Sequence, residues 1–220
     1  MANSPKHWSK EYKQKGIPSS FRQKPSGAMK LLDLSNIKGK VAADLGCGKG
    51  RNTFYLAEKV ASKIYALDFV PEAIKEIKKA NNPIIDVVCQ DLTKPWPIPT
   101  NELDLIIDIF CFKHQATVTK QNFYKSEIDR VLKSGGLILI DLADINDGFY
   151  GLQPKTKLKK DVVKITDPIT HVNSLLYTKS SLLNEFPNFK LLKFVNEKKK
   201  GKMHGKNCMR STLKFLLQKM

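Results

Sequence analysis

Val41-Ala42-Ala43-Asp44-Leu45-Gly46-Cys47-Gly48-Lys49-Gly50-Arg51-Asn52 is the stretch whose reading decides the fold. A short apolar run ends at Gly46, and Phe54, Leu56, Ala57 and Val60 follow at near-helical spacing, which predicts strand, glycine turn, helix. Glycine has no side chain to obstruct a ligand, so backbone amides in such a turn can approach one closely. Spacing narrows the ligand class. The dinucleotide fingerprint GxGxxG requires glycine where Arg51 stands, and the phosphate loop GxxxxGK[ST] is absent. Asp44 places a carboxylate at the strand tip, poorly suited to a phosphate and well suited to a cationic ligand.

Outward from this turn, apolar runs of strand length alternate with amphipathic stretches of helix length, the pattern of a parallel sheet covered by helices on both faces. Residues 41–45 and about 51–59 are the first strand and helix. Residues 63–67 form a second strand closed by Asp68, and Pro71 opens a helix to about Ala80 with Ala73, Ile74, Ile77 and Ala80 as its buried stripe. A third strand spans 84–89, and the three prolines of Lys94-Pro-Trp-Pro-Ile-Pro99 make the next stretch a loop. Residues 103–110 form a fourth strand. Thr119 caps a helix to Leu132 that stops at Gly135-Gly136, and 137–140 is the fifth strand. Consecutive apolar residues in these runs predict burial on both faces.

Beyond Asp141 the pattern weakens to a Gly- and Lys-rich stretch, 147–160, an alternating segment, 162–166, and a short helix, 179–186. Two late strands, 190–195 and 209–217, flank a basic link, 197–206, and read as a hairpin closing the sheet edge. Trp8 and Tyr12, spaced i, i+4, predict a short helix presenting two aromatics, which either covers a ligand or docks on an outer helix. The organisation is an amino-terminal helical lid segment, 1–27, and a single domain over 28–220.

A chain of 220 residues fits one core. No apolar run approaches the roughly 18 residues that cross a bilayer, and the first residues lack the apolar stretch of a signal peptide. The expectation is a cytoplasmic protein with no membrane partner. Cys47, Cys89, Cys111 and Cys208 form no CxxC pair, so no metal site is expected; they read as free thiols, the first three as small buried hydrophobes at strand ends. The net charge of +17 attracts nucleic acid. Yet only four of the 38 basic residues are arginine (Arg22, Arg51, Arg130, Arg210), and scattered lysine also serves simply to solvate a surface.

Two further carboxylates stand at strand tips. Asp68 is placed to accept from both hydroxyls of a ribose, and Asp91-Leu92 to accept from an adenine amino group while covering the ring; turn or cap aspartates are the structural alternatives. Three acidic tips on the carboxyl edge of one sheet, with Asp44 facing a cation, favour a sulfonium ligand such as S-adenosylmethionine. VAADLGCGKGRN, YALDF, CQDLT, DLIIDIF and RVLKSGGLILID, over about residues 40–141, resemble the successive motifs of class I S-adenosylmethionine-dependent methyltransferases. The DLGCGKGRN form is similar to small-molecule and tellurite-resistance-type members.

The resemblance implies a Rossmann-like, seven-stranded, mostly parallel sheet with helices on both faces and a carboxy-terminal antiparallel hairpin. It implies S-adenosylmethionine as cofactor, with S-adenosylhomocysteine as product. Asp44, Gly46 and Gly48 would line the methionine end, with Cys47, Arg51 and Asn52 of the same loop, Asp68 and Phe69 the ribose, and Asp91 and Leu92 the adenine. Asp108 would begin the segment facing the methyl group.

Transfer from a sulfonium is an in-line displacement whose leaving group needs no protonation, so positioning carries most of the catalysis. Where the acceptor must lose a proton, His114 is the nearest base, with Asp108 beside it; a satisfied loop histidine is the alternative. Asp108-Ile-Phe-Cys111 lacks the Asn-Pro-Pro-Tyr of enzymes that methylate exocyclic or amide nitrogens. Phe110 and Phe112 line a substrate pocket or belong to the core, and His204 and Arg210 reach the active-site rim or brace the hairpin. The acceptor is expected to be a small molecule. RNA or ribonucleoprotein is a second reading, motivated by lysines 155, 157, 159, 160, 198, 199, 200, 202 and 206, and a non-catalytic cofactor-binding protein is a third.

Overall fold

The structure, a computed structural model, describes residues 4–14, 23–59 and 61–220. Val60, assigned above to the first helix's apolar stripe, lies outside the described residues, as does Arg22. Strands β1 (Val41–Leu45), β2 (Lys63–Asp68), β3 (Ile85–Cys89), β4 (Leu103–Ile109) and β5 (Leu132–Ala143) run parallel. Strands β9 (Phe189–Met203) and β10 (Lys206–Lys219) complete the sheet in the order β3-β2-β1-β4-β5-β10-β9, with β10 antiparallel to both neighbours. This is the seven-stranded Rossmann-like architecture with its closing hairpin.

Alternation along the strands sends successive side chains to opposite faces, and both faces are apolar, as buried parallel strands require. Ala43 and Leu45 of β1 join one layer with Trp96 of the proline-rich loop and Tyr124, Ile128 and Val131 of helix α4 (Val118–Val131). Ala42 joins the other, with Leu56 of α2 (Arg51–Lys59) and the 3-10 turns Gly27–Leu31 and Leu34–Ile37. Helix α3 (Pro71–Ala80) adds Ile74 and Ile77 over Ala66 of β2. It starts on proline and ends where Asn81 turns left-handed (φ 44°), while Ala80, expected in its stripe, is exposed.

Several expectations are corrected by packing. Thr117, not Thr119, caps α4 through Lys120 N–H, and the helix ends at Val131 because Leu132 turns extended and fills the core. The chain then enters β5 at once and carries Gly135 (φ 76°) and Gly136 inside the strand. A side chain at Gly136 would meet Leu132 at 2.8 Å, so glycine here permits a close crossing. The basic link 197–206 is itself strand, turned by only His204 (φ 48°) and Gly205 (φ 78°), the two positive angles of a tight hairpin turn. The short helix ends early, as α5 (Lys179–Leu183). Cys89, expected buried, is exposed, and all four thiols are free.

An antiparallel sheet of β6 (Thr156–Lys159), β7 (Val162–Thr166) and β8 (Asn173–Tyr177) was legible only as the alternating segment of β7. It docks through Tyr177, buried in the main core and stacked on Phe112, which also meets Tyr124 and Phe186. Phe112 is therefore core. Phe112→Ala should leave a cavity beneath the β4 tip and lower the unfolding free energy by about 3–5 kcal/mol, measured by urea denaturation.

Candidate functional site

A cavity of about 630 Å³ opens at the carboxyl ends of the parallel strands, within the size range of small-ligand sites. The tips of β1 to β5 form its floor, helix α1 (Pro5–Gln14) its roof, and the β9–β10 hairpin its far wall. Helix α1 docks on the outer helix α3, and its two aromatics also line the cleft. Ser9 donates to Glu72 of α3 at 2.9 Å, while Trp8 and Tyr12 line the cleft. Trp8 meets His114 edge-on at 4.8 Å, and a side chain at Gly48 (φ 57°) would fall 2.5 Å from the Tyr12 hydroxyl.

Of the residues expected to bind a cofactor, Gly46, Arg51, Asp68, Phe69, Asp91 and Leu92 line this cleft. Asp68 accepts from Gly48 N–H and Val70 N–H, both at 2.9 Å, tying the glycine turn to the tip of β2; burial raises its carboxyl. Asp91 gives one oxygen to Thr93 N–H and hydroxyl, so the turn role foreseen as its alternative is also real.

The others stand behind the wall. Asp44, 1 % exposed, points under α2 and accepts from the Thr53 hydroxyl at 2.7 Å. Asn52 accepts from Ser26 N–H at 2.9 Å and so anchors the segment leading into the domain. Cys47 is buried, and Gly48 is covered by Tyr12. Asp108 is enclosed as well: it accepts from Cys111 N–H and Phe112 N–H at 3.0 Å and from the Tyr124 hydroxyl at 2.7 Å, so it builds a turn and does not face the cleft.

Residues 43–140 match the methyltransferase domain family. Over these residues the chain is similar to that family, and its fold is that of S-adenosylmethionine-dependent methyltransferases. It is 34 % identical over 128 residues to an uncharacterised methyltransferase of Synechocystis, and 32 % over 111 residues to a probable protein arginine N-methyltransferase 6 of Arabidopsis thaliana. The alignments cover 58 % and 48 % of this chain and 56 % and 25 % of those relatives. The fold matches the Burkholderia thailandensis 1,6-didemethyltoxoflavin-N1-methyltransferase with a TM-score of 0.69 at 16 % identity, over 98 % of this chain and 87 % of that one. A Clostridium acetobutylicum S-adenosylmethionine-dependent methyltransferase gives 0.62 at 15 % identity, covering 98 % and 92 %. S-adenosylmethionine is the cofactor of this family.

The cleft has a second end, toward β10. Phe110 lines it in a left-handed conformation (φ 65°), uncommon for an aromatic residue and typical of strained functional turns. Lys113, Asp141, Tyr150 and Met203 line it too, with Arg210, which the sequence placed at the rim or in the hairpin brace and which does both. His204 braces instead, pairing with Asp167 at 3.0 Å. His114 lines the cleft, and its Nδ1 lies 3.1 Å from the Asn173 carbonyl. A carbonyl only accepts, so Nδ1 carries the proton and Nε2 is the acceptor. Burial and the neighbouring Lys113 push this imidazole down to about 3, so it is neutral at pH 7 and weakly basic.

Burial raises Asp44 from its ordinary 3.8 to about 6, so the folded protein holds a proton there that the unfolded chain releases. Wild-type stability attributable to this group therefore falls as pH rises from about 4 to about 6. Asp44→Asn should gain about 3 kcal/mol relative to wild type between pH 3.5 and pH 7, read as the difference between their denaturation curves at each pH.

Proposed function

We propose that this chain transfers the methyl group of S-adenosylmethionine to a small-molecule acceptor held in the roofed cleft, and that it works in the cytoplasm. The observation that carries the reading is a single cavity running from the Asp68 and Leu92 tips, past the Phe110 turn, to an enclosed aromatic and basic end under the last hairpin. Among the described residues no helix is long and apolar enough to cross a membrane. The neighbouring 1,6-didemethyltoxoflavin methyltransferase holds its small acceptor and S-adenosylhomocysteine together, so this fold has room for both.

The residues present fit the cofactor. Asp68, buried and already oriented by two amides, has remaining lone pairs for ribose hydroxyls, and Phe69 and Leu92 supply apolar surface for the base. Gly46 keeps the β1 tip open: a side chain there would strike Cys111 Sγ at 2.8 Å. When bound, S-adenosylmethionine supplies an electrophilic methyl on a leaving group that needs no proton. The chain's part is then to exclude water and align the acceptor, through the α1 roof and the Phe110 turn. His114 is too weakly basic to remove a proton efficiently, and Asp108 is sealed behind the turn. Asp141 lines the cleft, is raised by burial to about 6, and is better matched to that task where the acceptor requires it.

Isothermal titration of the full chain with S-adenosylmethionine tests the donor half. Binding is expected, with Asp68→Ala weakening it about a hundredfold; a well-folded protein that shows no binding, or an unaltered Asp68→Ala variant, would sink the proposal. Stoichiometric S-adenosylhomocysteine release in a screen of metabolites would remove a purely binding role. The RNA reading keeps one supporting observation: Lys198, Lys200, Lys202 and Lys206 are exposed along the hairpin beside the cleft. Structured RNA bound selectively at physiological salt would favour it, whereas weak, unselective and salt-labile binding is expected here.

A further inference from the structure

The hairpin end of the cleft, across the sheet from the Asp68 and Leu92 positions, holds buried positive charge, an observation whose meaning rests on the methyl-transfer reading. Lys113 is 1 % exposed yet lines the cleft, with Nζ 3.9 Å from the centroid of Tyr150 and 5.4 Å from that of Phe110. Among the described residues it has no hydrogen-bond or ion-pair partner, only these two rings. Arg210, 8 % exposed, lies over the same Tyr150 ring at 5.3 Å. Its Nε donates to Asp147 at 2.8 Å, but its Nη1 is directed at the Met203 thioether, a weak acceptor.

Asp147 cannot neutralise both cations. One of its oxygens serves Arg210 and Ser211 N–H, and the other serves Phe149 N–H and Tyr150 N–H. Two buried cations thus share one ring; Asp147 is fully engaged, and the other carboxylates that act on Lys113, Asp167 and Asp141, are hydrogen-bonded to His204 and Ser26 and not to it. An ammonium shut away without a counter-charge is costly, several kcal/mol even after relaxation. Burial and then the Arg210 charge push Lys113 down to about 7 against the opposing pull of Asp147, Asp167 and Asp141. An incoming oxyanion would offset both costs at once, replacing a thioether by a strong acceptor for Arg210 and supplying the missing partner for Lys113.

We propose that Lys113 and Arg210, seated on the Tyr150 ring, form a subsite for an oxyanion carried by the methyl acceptor, so that the substrate is a small anionic molecule bearing a carboxylate or a phosphate. Orientation follows from the layout. With its anionic end on β10 and the turn after β4, the acceptor extends toward Phe110 and the donor end of the cleft, leaving its nucleophilic atom to face the methyl group.

The full chain, loaded with S-adenosylhomocysteine and carrying 13C-labelled lysine side chains, is titrated with benzoate, with its uncharged counterpart benzamide, and with inorganic phosphate. Benzoate or phosphate should move the Lys113 resonance toward the fully charged position, and the responding anion identifies the group recognised. That anion should bind about tenfold more tightly than benzamide. Lys113→Met should abolish the preference with S-adenosylhomocysteine affinity retained, and Lys113→Arg should restore it. Equal binding of benzoate and benzamide, a Lys113 resonance indifferent to both anions, or a preference that survives Lys113→Met would overturn the subsite. If the methionine variant does not fold, the wild-type titrations and the arginine variant decide. Failure to bind S-adenosylhomocysteine would instead remove the methyl-transfer reading itself, and the two failures are told apart in the same sample.

Discussion

The enclosed carboxyl of Asp108 holds the turn on which the acceptor end of this cleft depends. Its three donors, two backbone N–H groups and the Tyr124 hydroxyl, reverse the chain immediately beyond β4. The reversal sends Phe112 into the core while Lys113 and His114 face the cavity. It also holds Phe110 at a positive φ, a strain of order 1–3 kcal/mol that the burial of Phe112 among Tyr124, Tyr177 and Phe186 more than offsets. A carboxyl at a strand tip is thus a structural part of the site here, although it does not line the cleft.

The same division of labour runs through the molecule's charges. Acidic groups are drawn inward: Asp44, Asp108 and Asp141 are all raised to about 6 by burial, the first two held mainly by neutral or backbone donors and Asp141 by the Lys214 charge ahead of the Ser26 hydroxyl. Lysines are pushed outward, and many lie on β9, the long edge strand of the sheet. Exposed lysine on an edge discourages pairing with another chain's strand, so this basic row has a purpose within the fold even without nucleic acid. Lys113 and Lys214 depart from that pattern as buried lysines; Lys214 pairs with Glu197, whereas Lys113 rests on aromatic rings in the cleft.

The amino-terminal helix couples the two ends of the cleft. Tyr12 rests on Gly48 at the donor loop, and Trp8 rests on His114 at the far turn. Ser26, further along, links Asn52 to Asp141, joining the start of α2 to the carboxyl end of β5. Helix α1 therefore rests on both ends of the cleft.

The sequence by itself determined the sheet, the glycine turn, the donor class and the Asp68 and Leu92 positions, because strand and helix periodicity and turn chemistry are local properties. It also placed the hairpin, though not its extent, since strand pairing stabilises lysines that have no intrinsic preference for a strand. Tertiary structure decided which strand-tip carboxyls line the cleft: Asp44 and Asp68 look alike in sequence, and only the docking of α2 turns one beneath a helix and leaves the other in the cleft. The role of Lys113 was invisible for the same reason. Its burial and its lack of a counter-charge arise from Tyr150, Arg210 and β8, residues remote in the chain, and desolvation is a property of the assembled surroundings and not of the residue.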